Sequence, residues 1–133
     1  MPNRHATCSC GQLRVTCQGD PARVSICHCL ECQRRTGSVF GAQARFPRTQ
    51  VRIQGDSTVW SRPGDSGGAV TFHFCPVCGA TVYWRIQAAP DVIAVAIGAF
   101  ADPGFGPPRH SVYERSRHGW VVQPEGPDVE HLD

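Results

Sequence analysis

The 133-residue sequence contains no lysine, no long apolar run and no strong excess of charge. All 13 basic residues are arginine, a bias that by itself identifies no partner. A formal net charge of +2 and a pI near 8.2 are too mild to call for nucleic acid. The longest apolar stretch, Val92 to Phe100, falls far short of the ~20 residues a membrane-crossing helix needs, so no membrane role is expected. The N-terminal segment MPNRHATCSC has no apolar core of the secretory kind, which predicts a cytoplasmic protein whose thiols stay reduced. Internal repeats, low-complexity blocks and interdomain linkers are also missing. With 41% apolar residues the composition fits a single folded domain over 1–133. Its core is expected over about residues 7–120, followed by an acidic C-terminal tail over 121–133.

What is present is a series of short β-rich runs divided by Gly, Pro and Asp. QLRVTC alternates, placing Leu13, Val15 and Cys17 on one face. FGAQARF, QVRIQG, TVWS, AVTFHF, ATVYWRI and VIAVAIGAF follow as further strand candidates. Gly55–Ser57 and Arg62–Gly68 carry turn chemistry. One short helix is predicted, from about Leu30 to Arg35 and ending at Gly37. These signals describe a mainly β, antiparallel domain held by some additional staple.

Eight cysteines supply it. In a reducing compartment that number points to metal before disulfides. CPVCG, with Cys75 and Cys78, is a zinc-knuckle pattern in which two thiolates face one ion and Gly79 takes the positive φ of the turn. CSCG, with Cys8 and Cys10, is a tighter version with Gly11 in the matching place. Together the two pairs make a four-thiolate, closed structural site. The alternatives are buried free thiols or a redox pair at Cys75 and Cys78, for which no βαβ context exists. Cys17 continues the Leu13–Val15 face and reads as a small core residue, with a ligand role as the sharper alternative.

The third group, Cys27, Cys29 and Cys32 in CHCLEC, offers three thiolates and no fourth. Three protein ligands and one open position describe a catalytic rather than a structural zinc. Three thiolates leave such a site with net negative charge, a weak activator of water but a good holder of an incoming thiol. His28 could close the site instead, but it lies between two of the ligands, where its side chain is expected to point away. Two zinc ions per chain are therefore expected.

The order CSCG, CHCLECQRRTGS and FCPVCGA resembles the glutathione-dependent formaldehyde-activating enzymes, whose superfamily includes the centromere protein V group. The resemblance runs from about Thr7 to Trp120 and includes the C-terminal stretch PPRHSVYERSRHGW, in which a proline and histidine precede a strand and a tryptophan. It implies a β-tent fold, antiparallel sheets with zinc-binding knuckles at their junctions. It also implies a carbon–sulfur lyase activity that joins glutathione and formaldehyde as S-hydroxymethylglutathione. By position, Cys8, Cys10, Cys75 and Cys78 become structural zinc ligands, and Cys27, Cys29 and Cys32 the catalytic set. Arg34 or Arg35 would receive a glutathione carboxylate bidentately, or both would be solvated surface. Thr36 and Ser38 are either substrate contacts or cap residues. The short glycine-rich link SRPGDSGG stands where a larger member builds substrate loops, which leaves the substrate open. Two alternatives remain: a zinc enzyme acting on another small thiol adduct, and a non-catalytic zinc module binding nucleic acid or protein.

Overall fold

The computed structural model describes residues 2–65 and 67–133. Ser66, inside the turn expected over Arg62–Gly68, lies outside the described residues, as does Met1. In chain order the strands are β1 (Asn3–Thr7), β2 (Arg14–Gln18), β3 (Arg23–Cys27), β4 (Gly41–Pro47), β5 (Val51–Gln54), β6 (Thr58–Pro63), β7 (Ala69–Phe74), β8 (Thr81–Ile86), β9 (Val92–Ala96), β10 (His110–Val112) and β11 (Glu130–His131). One α-helix, α1 (Leu30–Thr36), interrupts them between β3 and β4.

Two sheets result. The smaller is antiparallel, in the order β1-β2-β5. The larger runs β11-β10-β3-β4-β9-β8-β7-β6. Its pairings are antiparallel except that β10 joins β3 and β11 in parallel. The mainly β, largely antiparallel architecture expected from the sequence is present, with a parallel corner that the strand patterns did not announce. Among the described residues, no helix is long and apolar enough to cross a membrane.

Strand alternation decides what the sheets enclose. Leu13, Val15 and Cys17 are fully buried between the sheets, against Ala6, Phe46, Val82, Ile93 and Val95. Burying a side chain the size of Phe46 is worth roughly 1.5–3 kcal/mol, so this shared layer is what holds one sheet on the other. The opposite face of the large sheet carries a second apolar group, Phe72, Trp84 and Ala94, flanked by Val70, Ile86 and Ala96. That face is not covered by another sheet and floors the cavity described below.

Two local expectations change. The residues read as an acidic tail return to the sheet as β11, where Leu132 N–H donates to the Ser111 carbonyl and Glu114 N–H to that of Leu132. Backbone pairing, which composition does not report, holds them there. The apolar run Val92–Phe100 does not remain extended: β9 ends at Ala96 and Ile97–Phe100 form a 3₁₀ turn that buries Phe100.

Candidate metal centres

Cys8 and Cys10 lie on the turn between β1 and β2, and Cys75 and Cys78 on the turn between β7 and β8. Their four sulfurs lie within 4.8 Å of one another, at a junction of the two sheets. Cys8 and Cys10 sulfurs are 3.6 Å apart, and those of Cys10 and Cys75 3.7 Å. Four sulfurs at ~2.3 Å from one ion would stand ~3.8 Å apart in a tetrahedron, so the donor set fits such an ion in both chemistry and spacing.

Backbone geometry prepares these sulfurs. Gly11 and Gly79 have φ of 85° and 80°, the left-handed conformation each knuckle needs at its end. Amides of Val77 and Cys78 donate to Cys75 Sγ at 3.3 and 3.5 Å, and Leu13 N–H to Cys8 Sγ at 3.3 Å. Gln12 adds its side-chain amide to Cys75 Sγ at 3.0 Å. Burial opposes ionisation of Cys75, but the amides of Cys78 and Val77 and the Gln12 side chain outweigh it and bring that thiol down to about 6.

The other three sulfurs, of Cys27, Cys29 and Cys32, also lie within 4.8 Å of one another. Cys27 ends β3, Cys29 is the N-cap of α1, and Cys32 lies one turn into that helix. Cys29 Sγ accepts from Cys32 N–H at 3.3 Å, so one sulfur both caps the helix and faces the cluster. The helix then stops as expected, with Gly37 in the left-handed conformation at φ 70°. Gln33 anchors it, donating to the carbonyls of His28 and Ser116 at 2.8 and 3.1 Å. Hydrogen bonds with Cys27 and then Cys32 hold Cys29 far below the usual thiol range. Hydrogen bonds with Cys29 and then Cys32, with burial, push Cys27 far above it. The three thiols thus titrate as one coupled group, with Cys29 lowered and Cys27 and Cys32 raised, and three sulfurs make a donor set suited to a soft cation.

The two side chains that made alternative ligands are directed elsewhere. His28 is buried, with Nε2 3.2 Å from Ser111 Oγ and its ring 5.9 Å from that of Phe40. Cys17 is fully buried in the core between the sheets. Neither joins a sulfur cluster among the described residues.

Beside the three-thiol cluster opens a cavity of about 680 Å³, within the roughly 300–1,000 Å³ of small-molecule sites. Phe72 and Trp84 lie on its floor, and Cys27, Cys29 and Cys32 line one side. Arg35 is held with its guanidinium 4.3 Å from the Trp84 ring centre and 5.3 Å from that of Phe72. A side chain at Gly41 would sit 2.9 Å from Arg35 Nη2 and 3.7 Å from Cys32 Sγ, so glycine there leaves the guanidinium its room. Tyr113, in a strained left-handed conformation at φ 55°, also lines the cavity and donates its hydroxyl to Asp65.

Of the predicted substrate contacts, only Arg35 lines the cavity. Arg34 is exposed, lies outside the cavity lining and pairs with Glu31 at 2.8 Å, because the two stand one turn apart on α1. Thr36 Oγ1 donates to the Cys32 carbonyl at 2.8 Å and accepts from Ser38 N–H at 3.0 Å, which makes both residues part of the helix cap. Sequence reasoning missed Arg23, Arg45, Arg62 and Arg115, all of which line the cavity. The available signal was alternation: Arg23, Ser25 and Cys27 share one face of β3, and Gly41, Gln43 and Arg45 one face of β4. The glycine-rich link after β6 also contributes, placing Gly64, Asp65 and Gly67 in the cavity wall.

Comparison with known proteins agrees with this architecture. A Rhodobacter sphaeroides protein of known crystal structure superposes with a TM-score of 0.57 at 20% identity, over 77% of this chain and 91% of that one, which shows a shared fold. A Colletotrichum graminicola protein named "Putative glutathione-dependent formaldehyde-activating enzyme" is 28% identical over 86 residues, covering 58% of this chain. The match covers 44% of that relative, so this chain spans less than half its length. The sequence model described as "Glutathione-dependent formaldehyde-activating enzyme" matches residues 3–116. By that match over most of its length, the chain belongs to the glutathione-dependent formaldehyde-activating enzyme family.

Proposed function

We propose that the chain is a zinc-dependent carbon–sulfur lyase that joins glutathione and formaldehyde as S-hydroxymethylglutathione. The observation that carries this reading is a set of three sulfurs opening onto an arginine-lined cavity of small-molecule size. Cys8, Cys10, Cys75 and Cys78 hold one zinc in a closed site, and Cys27, Cys29 and Cys32 hold the other. When bound by three thiolates, zinc supplies an open position that keeps an incoming thiol deprotonated near neutral pH.

The protein's own groups do the rest. Cys27 and Cys32 are buried while Cys29 is half-buried, so the cluster is closed toward the core and approachable from the cavity. Arg35, fixed against Trp84, adds a positive charge near the sulfurs and favours an anionic guest. The aromatic floor offers an apolar surface beside that charge. In the reaction the thiol sulfur bonds to the formaldehyde carbon. The C=O double bond becomes a C–O single bond, and the oxygen takes up the proton the thiol gave. No oxidant or reductant is required, and most of the acceleration comes from holding the two partners together.

Cobalt in place of zinc tests the proposal. The thiolate-to-cobalt absorption should change saturably with glutathione and hardly at all with S-methylglutathione, a much poorer ligand. The response should vanish in Cys29→Ser and persist in Cys17→Ser. A spectrum indifferent to glutathione in the unaltered protein would overturn the reading.

A further inference from the structure

Arg23 on β3 and Arg45 on β4 are Cα partners across the two strands, and both line the cavity. Like charges directly opposite on neighbouring strands destabilise a sheet. This pair has no compensating acid: the ion pairs among the described residues use Arg4, Arg34, His110 and His131. Both Nε atoms are buried without a hydrogen-bond partner. Arg35 and Arg62 rest against aromatic rings, whereas among the described residues no ring is placed under Arg23 or Arg45. Of the cavity's three acidic residues, Glu31 is taken by Arg34 and Asp65 by Tyr113, while the exposed Asp133 forms no ion pair among the described residues. Two adjacent guanidinium groups with unspent donors, turned into a cavity, make a receptor for an oxyanion.

We propose that Arg23 and Arg45 form an oxyanion subsite that binds the far end of an elongated anionic thiol whose sulfur lies at the three-cysteine cluster. Its connection to a thiol rests on the function proposed above; the oxyanion receptor itself does not. Arg23 precedes Cys27 by four residues on one strand, a spacing of ~13 Å at ~3.3 Å per residue. The anionic group therefore sits on the order of 10 Å from the sulfur. The γ-glutamyl carboxylate of an extended glutathione reaches that far, and the carboxylate of free cysteine does not. Burial, and then the facing Arg23, hold Arg45 below the ordinary guanidinium range, a cost that a bound anion would relieve.

The test uses the metal-loaded protein and inorganic phosphate as probe, with the Nε–H resonances of Arg23 and Arg45 read by NMR. Phosphate should shift both resonances saturably and raise the melting temperature. Arg45→Gln should abolish both effects yet melt no lower than the unaltered protein without phosphate, because it removes one of two repelling charges. Arg23→Gln provides a second variant with the same expectation. Resonances that ignore both phosphate and glutarate, or anion binding that survives both substitutions, would overturn the subsite. Glutarate in the same titration distinguishes a carboxylate-bearing guest from a phosphate-bearing one, and saturation by either supports the subsite.

A second series separates this proposal from the function it extends. Glutathione affinity should fall at least about tenfold in Arg45→Gln, the weight of one charge-assisted contact. Affinities for cysteine and 2-mercaptoethanol should not change. Equal losses for all three thiols would overturn the far-end placement. Phosphate binding at the pair with no thiol binding at all would sustain the oxyanion subsite and remove the thiol enzyme.

Discussion

At the junction of the two sheets, Cys10 and Cys75 come from segments 65 positions apart to meet at 3.7 Å. At the head of α1, three sulfurs come from a single stretch, Cys27 to Cys32. An ion in the first cluster would cross-link distant parts of the chain, and four donors leave it no free position. In the second cluster the chain already places the donors locally, through β3 and the helix cap. An ion there adds little to the fold and faces a cavity lined with arginine. On the function proposed above, the same ligand type would separate into staple and reaction site according to where the sulfurs come from and what lies beside them.

Removing one sulfur from each cluster is the strongest way to break that comparison. Cys75→Ser takes a donor, and the target of three amide or side-chain hydrogen bonds, from the cross-linking cluster. The free energy of metal binding at a structural site is folding free energy. The loss should consume most of the ~5–15 kcal/mol that keeps a domain folded, seen as lost near-UV circular dichroism at 25 °C. Cys29→Ser should instead abolish activity while changing stability by no more than ~1 kcal/mol, because serine caps the helix as well as cysteine does. Denaturant unfolding and turnover, measured together, check the contrast.

A smaller effect is expected where the helix meets β4. Gly41→Ala would place a methyl 2.9 Å from Arg35 Nη2. The flexible arginine should give way and lose its seat on Trp84, worth ~0.5–2 kcal/mol. Glutathione affinity should drop several-fold with the metal content unchanged, as titration and elemental analysis would report. Arg34→Gln should do least of all. Its exposed pairing with Glu31 is worth at most about 0.5 kcal/mol, and the glutathione response should match the unaltered protein. A loss as large as that for Arg35 would mean that the cavity-lining position is not what matters.

This contrast between neighbours marks how far the sequence could be read. The cysteine groups, the helix with its Gly37 stop and the strands around Leu13–Cys17, Gly41–Pro47 and Ala69–Phe74 were legible because spacing, turn residues and alternation are local properties. Arg34 and Arg35 are adjacent in sequence, yet one turns to solvent and the other onto an aromatic floor built by β7 and β8. Which of 13 arginines face the cavity depends largely on register between strands far apart in the chain; alternation puts Arg23 on the face of Cys27 only once β3 is recognised as a strand. Strand β3 was missed for a related reason: RVSIC is short, carries Arg and Ser on the face that opens to the cavity, and merges into the cysteine motif. Strands β10 and β11 owe their place to parallel pairing, β10 on β3 and β11 on β10, rather than to their own composition.

Metal counting followed through chelation tests the division between staple and reaction site most directly. Protein purified without chelator should contain about two equivalents of zinc, as the four-plus-three donor count requires. A strong chelator should remove the first equivalent quickly with no change in near-UV circular dichroism, and the second slowly, together with unfolding. Cys29→Ser should lack the fast phase alone. A single equivalent, or two that leave in one phase with loss of structure, would contradict the account.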